Sequence, residues 1–216
     1  MFKTFLSGFP AALRRLFSWP HLALGVVAGT LTYGCVVSGF DWYFFEHTRS
    51  IFFLALPAAI IGFFVPILLP FGLYVYGEVW KKELYRHTAG LVAQAGALAW
   101  LFSSTLKAFT GRMQPEFYTH LSAIDNSHEW LFGFWRHGIF WGWPSSHTTV
   151  AIAISCVIAY QFRHKPLVVI LALLYGAYIA LGVSISIHWF SDALAGIIFG
   201  YIAYRAVVGK NKSLSS

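Results

Sequence analysis

The chain has 216 residues, 58% of them hydrophobic and 11% charged, with a mean hydropathy of +0.65. Soluble domains carry about 25% charged and 45–50% apolar residues, so an ordinary cytosolic enzyme, a disordered chain and a secreted disulfide scaffold are excluded. An integral membrane protein is implied. The net charge of +7 sits between apolar runs, so it orients a membrane protein rather than forming a nucleic-acid patch. Cys35 and Cys156 both fall inside apolar runs and make no disulfide framework.

In chain order, residues 1–20 mix Phe2, Phe5, Leu6, Leu13, Leu16, Phe17 and Trp19 with Lys3, Arg14 and Arg15. That pattern predicts an amphipathic helix lying on the membrane surface. Six apolar stretches then follow, near 22–40, 51–79, 88–108, 146–162, 166–186 and 189–208. Each approaches the roughly 20 helical residues needed to cross about 30 Å of hydrocarbon. The first begins too late and runs too long for a cleaved signal peptide. Strand-period alternation is absent, so the expected fold is all-α, with six transmembrane helices plus the N-terminal interfacial helix. Pro57, Pro66 and Pro70 predict a kink in the second span. One long connection, 109–145, holds no Gly/Ser linker and no repeat, so residues 1–216 read as a single domain.

With the N-terminus inside and the spans alternating, eleven of the 15 Lys and Arg residues fall inside. Only Arg49, Lys107, Arg112 and Arg136 lie outside. The positive-inside rule therefore predicts a multi-pass protein of the cytoplasmic membrane, with both termini cytoplasmic. The Asn211-Lys212-Ser213 sequon then lies on the wrong side to be used.

Ionisable groups at the ends of spans default to function, and here they gather at the outer ends of three. Lys107 closes the third span, Pro144-Ser145-Ser146-His147 opens the fourth, and His188 and Asp192 open the sixth. Ser145 and Ser146 at a helix start can cap it, beside free N–H groups that favour an anion. His188 and Asp192, four apart, share one helix face. There the carboxylate can hold one ring nitrogen and leave the other as a nucleophile or base. Lys107 supplies a point charge for phosphate. Each element also has a bland explanation: Ser-Ser as a simple cap, His and Asp as a hydrogen-bonded pair, Lys107 as a snorkelling anchor. His120, His128 and His137 with Asp125 and Glu129 fit no zinc spacing, and the aromatic segment around Trp130–Trp143 reads as an interfacial belt.

Taken in order, these residues resemble the type 2 phosphatidic acid phosphatase superfamily. Lys107 and Pro115 match its Lys–six residues–Arg-Pro element. Pro144, Ser145 and His147 match Pro-Ser-Gly-His, and His188 and Asp192 match Ser-Arg–five residues–His–three residues–Asp. The resemblance implies that His188 attacks phosphorus with Asp192 holding it, and that His147 protonates the leaving oxygen and then activates water. It further implies that Lys107, Ser145 and the amides near Ser146 cradle the phosphoryl oxygens, with no metal and no cofactor.

Three positions depart from the pattern: Gln114 replaces an Arg, Ser146 the Gly, and Leu181-Gly182 the Ser-Arg pair. Arg112, released by Gly111 at the end of its helix, is expected to supply the second phosphate cation, with Gln114 adding a neutral hydrogen bond. The expected protein is a lipid-phosphate phosphatase with its site on the outer face. Its substrate would be an amphiphile such as phosphatidate, phosphatidylglycerophosphate, a polyprenyl phosphate or lipid A. A lipid phosphotransferase is a close variant, and a non-catalytic lipid-phosphate binder or flippase is the rival. The sequence carries no sign of oligomeric state.

Overall fold

The computed structural model describes residues 2–115 and 124–209, with side chains from Gly8 onward. His120 and the 211–213 sequon lie outside the described residues, as do the side chains of Phe2, Lys3, Phe5 and Leu6. Among the described residues eight α-helices follow one another: α1 Phe2–Leu16, α2 Trp19–Val37, α3 Phe40–Thr48, α4 Ala55–Val79, α5 Glu83–Thr110, α6 Ser146–Gln161, α7 Pro166–Ser184 and α8 Phe190–Val208. A 3-10 segment, Arg49–Leu54, joins α3 to α4. Local signals mark the boundaries. Prolines open α2 and α7, the Ser145 side chain caps α6, and Gly111 closes α5 in the left-handed region.

The result is an all-α, largely membrane-spanning bundle, with two corrections to the expected layout. Among the described residues five segments, not six, are long and apolar enough to cross by length and composition: α2, Phe40–Val79, α5, α7 and α8. The exception is α6, whose 16 residues rise about 24 Å. It is short because its first turn starts at the polar cluster and its last ends at Phe162, inside the bundle. The second correction concerns the N-terminus. Instead of a separate helix over 1–20, α1 ends at Leu16 and docks on α5 and α8. Ala12 and Leu16 are buried there, and Arg15 Nε donates to the Ala206 carbonyl at 2.6 Å. The last carbonyls of α8 lack helical partners, and Arg15 supplies one. In the second span, α4 runs unbroken through Pro66 and Pro70; a non-helical residue instead precedes it, at Ile51 (φ −102°, ψ 25°).

The core lies where α5, α6 and α8 meet, built on Val92, Leu98, Ile154, Val157, Ile202 and Val207. Buried share separates inner from outer helices: 11% along α2 and 17% along Phe40–Val79, against 61% for α5 and 67% for α8. Lipid tails are as apolar as leucine, so helices in a bilayer associate through close packing of small residues. Here α8 turns Gly196 and Gly200 toward α6. A Cβ at Gly200 would stand 2.6 Å from the Thr149 carbonyl oxygen. That approach brings the starts of α6 and α8 together.

Gly200→Ala is expected to lower stability by about 1–3 kcal/mol through overpacking. Gly29→Ala on α2, where an added Cβ meets nothing within 4 Å, should not. Thermal melts of the detergent-solubilised variants distinguish the two.

Candidate active site

Three chain segments converge where α6 and α8 begin. The first is the end of α5. Gly111 adopts φ +49° and its amide donates to the Lys107 carbonyl. An added Cβ there would meet the Leu131 carbonyl at 2.7 Å, so glycine is required by conformation and by space. The chain turns back along residues 129–131, with the Met113 amide on the Glu129 carbonyl and the Leu131 amide on the Gly111 carbonyl. The second segment is the start of α6, where Ser145 Oγ accepts from the Thr148 amide at 3.4 Å and its hydroxyl at 3.2 Å. The Ser145 amide donates to the Asp192 carbonyl, which ties the start of α6 to α8. Third is the turn from α7 into α8, carrying His188, Trp189, Ser191 and Asp192.

Two imidazoles face each other across this junction, with the His147 and His188 ring centroids 6.3 Å apart. His188 Nδ1 lies 3.4 Å from Asp192 Oδ2, which leaves Nε2 free to face a substrate. Burial foremost, and then the Lys107 ammonium, push His188 down to about 4. At neutral pH it is the free base. Asp192 Oδ2 also accepts from the Trp189 amide and from Gln114 Nε2, both at 3.3 Å.

A cavity of about 510 Å³ opens beside His147. Its polar end is formed by Lys107, Ser146 and His147, and the rest is apolar: Gly62, Phe63, Pro66, Ile67 and Pro70 of α4 face Ala93, Ala97 and Trp100 of α5. His147 Nδ1 is buried without a partner. Lys107 Nζ, almost wholly enclosed, donates to the Phe140 carbonyl at 3.0 Å. Ser146 Oγ accepts from Ser103 Oγ at 2.9 Å.

Of the eight residues expected here, Lys107, Ser146 and His147 line the cavity, and His188 and Asp192 form the pair behind it. Ser145 is spent on capping α6. Arg112 does not line the cavity. Gly111 does let it fold back, but away from the cavity. Its Nη1 donates to Asp192 Oδ1 at 2.5 Å and Ser191 Oγ at 2.8 Å, and its Nη2 to Asp41 Oδ2 at 2.7 Å. Nε and Nη2 also donate to the Ser127 carbonyl. All five guanidinium donors are thereby engaged, and none remains for an anion. The guanidinium also lies 5.0 Å from the Trp130 ring and 6.0 Å from that of Trp189, a favourable seat for a buried cation. Gln114 likewise turns toward Asp192, not the cavity. Arg136 is exposed on the connection between α5 and α6 and does not line the cavity.

Asp41 and Ser191 were not singled out from the sequence. The signal for Asp41 was present: it is a carboxylate at the outer end of the first apolar run, which is the ground on which Lys107 was chosen. Ser191 carried no signal, since a lone serine at a helix start is ordinary. Among the described residues, no three His, Cys, Asp or Glu side chains group to hold a metal ion.

A model of the PAP2 superfamily matches residues 89–212. No curated protein matches the chain. Among solved structures it is similar to one described as the crystal structure of the first transmembrane PAP2 type phosphatidylglycerolphosphate phosphatase from Bacillus subtilis. The TM-score is 0.61 at 16% identity, over 90% of this chain and 98% of that one. At that identity the likeness is one of fold.

The caps make a testable distinction. Ser145→Ala should lower stability by about 1 kcal/mol, the usual value of an N-cap, whereas Ser146→Ala should cost less. Melting temperatures of the two variants decide it.

Proposed function

Because the chain belongs to the PAP2 superfamily, we propose that it is a metal-independent phosphatase of lipid phosphates. The observation that carries this is the imidazole pair, His147 and His188, 6.3 Å apart at the Lys107 end of an apolar cavity. That spacing leaves room for a phosphoryl group between the rings. His188 Nε2 attacks phosphorus while Asp192 holds Nδ1. The bond from phosphorus to the lipid oxygen breaks, and that oxygen takes a proton from His147. His147 then removes a proton from water, whose oxygen attacks the phosphohistidine. Phosphate leaves and His188 is regenerated. Lys107 stabilises the equatorial oxygens, with Ser146 and the free amides of the first α6 turn around it. Phosphoryl transfer asks mainly for positioning and charge stabilisation, which these groups supply.

The cavity points to the substrate class. Its long wall is α4, a helix largely exposed to the bilayer, so an acyl or prenyl chain can lie along Phe63, Pro66 and Ile67 while its phosphate meets Lys107. Phosphatidylglycerophosphate, which the Bacillus subtilis protein is named for, falls in this class with phosphatidate, polyprenyl phosphates and lipid A. A second reading, a lipid-phosphate binder, flippase or phosphotransferase, draws on the inward turn of Arg112 and Gln114. That turn leaves Lys107 as the one cation lining the cavity among the described residues.

For topology, we read α6 as a sixth crossing despite its length, since its neighbours α5 and α8 both bring their polar ends to its start. Both termini are then cytoplasmic, the site faces the outside, and α1 lies at the inner interface against α5 and α8.

Purified protein should release phosphate from members of a lipid-phosphate panel in mixed micelles, unaffected by EDTA. His188→Ala should abolish turnover, and Asp192→Asn should reduce it strongly through lost imidazole orientation. Full activity in His188→Ala, or loss with EDTA that added zinc restores, overturns the mechanism; binding without phosphate release favours the second reading. For topology, His128→Cys in a cysteine-free background should react with an impermeant maleimide on spheroplasts. Reaction at Lys82→Cys instead inverts the orientation.

A further inference from the structure

Asp41 stands on α3, outside the matched residues 89–212, yet it is completely buried among the groups behind His188. Its Oδ1 accepts from the Ser191 amide at 2.8 Å. Oδ2 accepts from the Ser191 hydroxyl at 2.5 Å and from Arg112 Nη2 at 2.7 Å. One carboxylate thus caps the start of α8 and shares the guanidinium that binds Asp192.

We propose that Asp41 is a positioning residue of the active site: through Arg112 it governs the charge that Asp192 presents to His188, and through Ser191 it fixes the helix start that carries Asp192. The proposal rests on His188 being the nucleophile.

The division of labour on Asp192 makes the coupling direct. Oδ1 is given to Arg112, and Oδ2 to His188, the Trp189 amide and Gln114. Were Arg112 matched to Asp192 alone, its charge would cancel the carboxylate that orients His188. Asp41 takes half of that guanidinium and leaves Asp192 negative toward the imidazole. The groups facing His188 are Lys107 from α5, Arg112 and Gln114 from the segment after it, His147 from α6 and Asp192 from α8. The end of α7 and the turn after it bring hydroxyls, Ser184 and Ser186, and no charge. Two carboxylates, Asp41 and Asp192, are set against two cations, Arg112 and Lys107, around His188, so removing either member of the Asp41–Arg112 pair must tilt His188 in a definite direction.

The test uses the full-length protein in micelles, with dioctanoyl phosphatidate as substrate and the ring titration of His188 read by NMR of 15N-histidine-labelled protein. Asp41→Asn leaves Arg112 unopposed, so the His188 midpoint and the acid limb of kcat/KM should both move to lower pH by about one unit. Arg112→Gln should move both upward, and the double variant should return toward the wild type. In Asp41→Asn, kcat should fall about 10- to 100-fold with little change in KM. Asp41→Glu, which keeps the charge, should titrate like the wild type. Shifts in the same direction for both single variants, or none in either, overturn the proposal and leave only a structural role. So does an Asp41→Glu shift as large as that of Asp41→Asn. Should one single variant fail to fold, the direction of the His188 shift in the other still decides: downward for Asp41→Asn or upward for Arg112→Gln supports the proposal, and no shift or the opposite one overturns it. Opposite NMR shifts in a protein that releases no phosphate from any lipid sustain the network and remove the hydrolase reading instead.

Discussion

A guanidinium with no access to solvent is costly unless every donor is matched, and Arg112 meets that requirement by drawing three parts of the chain to itself. Asp41 comes from the start of α3, the Ser127 carbonyl from the long connection, and Ser191 with Asp192 from the start of α8. The position of His188 follows from this, because Arg112 and the Trp189 amide hold Asp192. The route of the long connection follows as well. Residues 129–131 run beside Gly111 because Arg112 must reach Ser127 and Trp130 on that strand of chain.

Beneath the ion-pair layer the bundle is held differently. The contact between α6 and α8 depends on glycines and on Thr148 and Thr149, where backbone nearly touches backbone. Close packing and charge matching therefore serve one end. The first sets how near the two histidine-bearing segments can come, and the second sets how the His188 ring is turned once there. On the other side of α6, the small residues Gly62, Ala93 and Gly96 leave space instead of filling it. The apolar cavity is the complement of the tight seam.

Much of this was legible in the sequence, and the remainder was not for identifiable reasons. Apolar runs gave the helices to within a few residues, since a bilayer crossing leaves a signal in composition alone. Lys107, Ser146 and His147 were brought to one place from spans that alternate across the membrane. The fate of Arg112 was not legible. Spacing says that Gly111 frees it, but which partner it finds depends on Asp41, 71 residues earlier, and no local pattern links the two. Helix ends and docking were less legible: α6 has only 16 residues, and α1 stops at Leu16 with a docking face of alanine and leucine, which suit lipid and protein equally.

The tie between Asp41 and Ser191 joins positions 150 residues apart, and it has a consequence for biogenesis. Synthesis proceeds from the N-terminus at about 5–20 residues per second, so Asp41 and Arg112 are both made before residues 188–192 exist. They can neutralise each other early, where α3 begins and α5 ends. Asp192 and the histidine it orients arrive only with the last helix, whose insertion supplies the remaining acceptors for Arg112 and the remaining donors for Asp41. A chain that stops short of α8 therefore carries an ion pair with unfilled hydrogen-bonding positions and lacks Asp192, which holds the His188 ring. Completion of the site and completion of the fold are the same event.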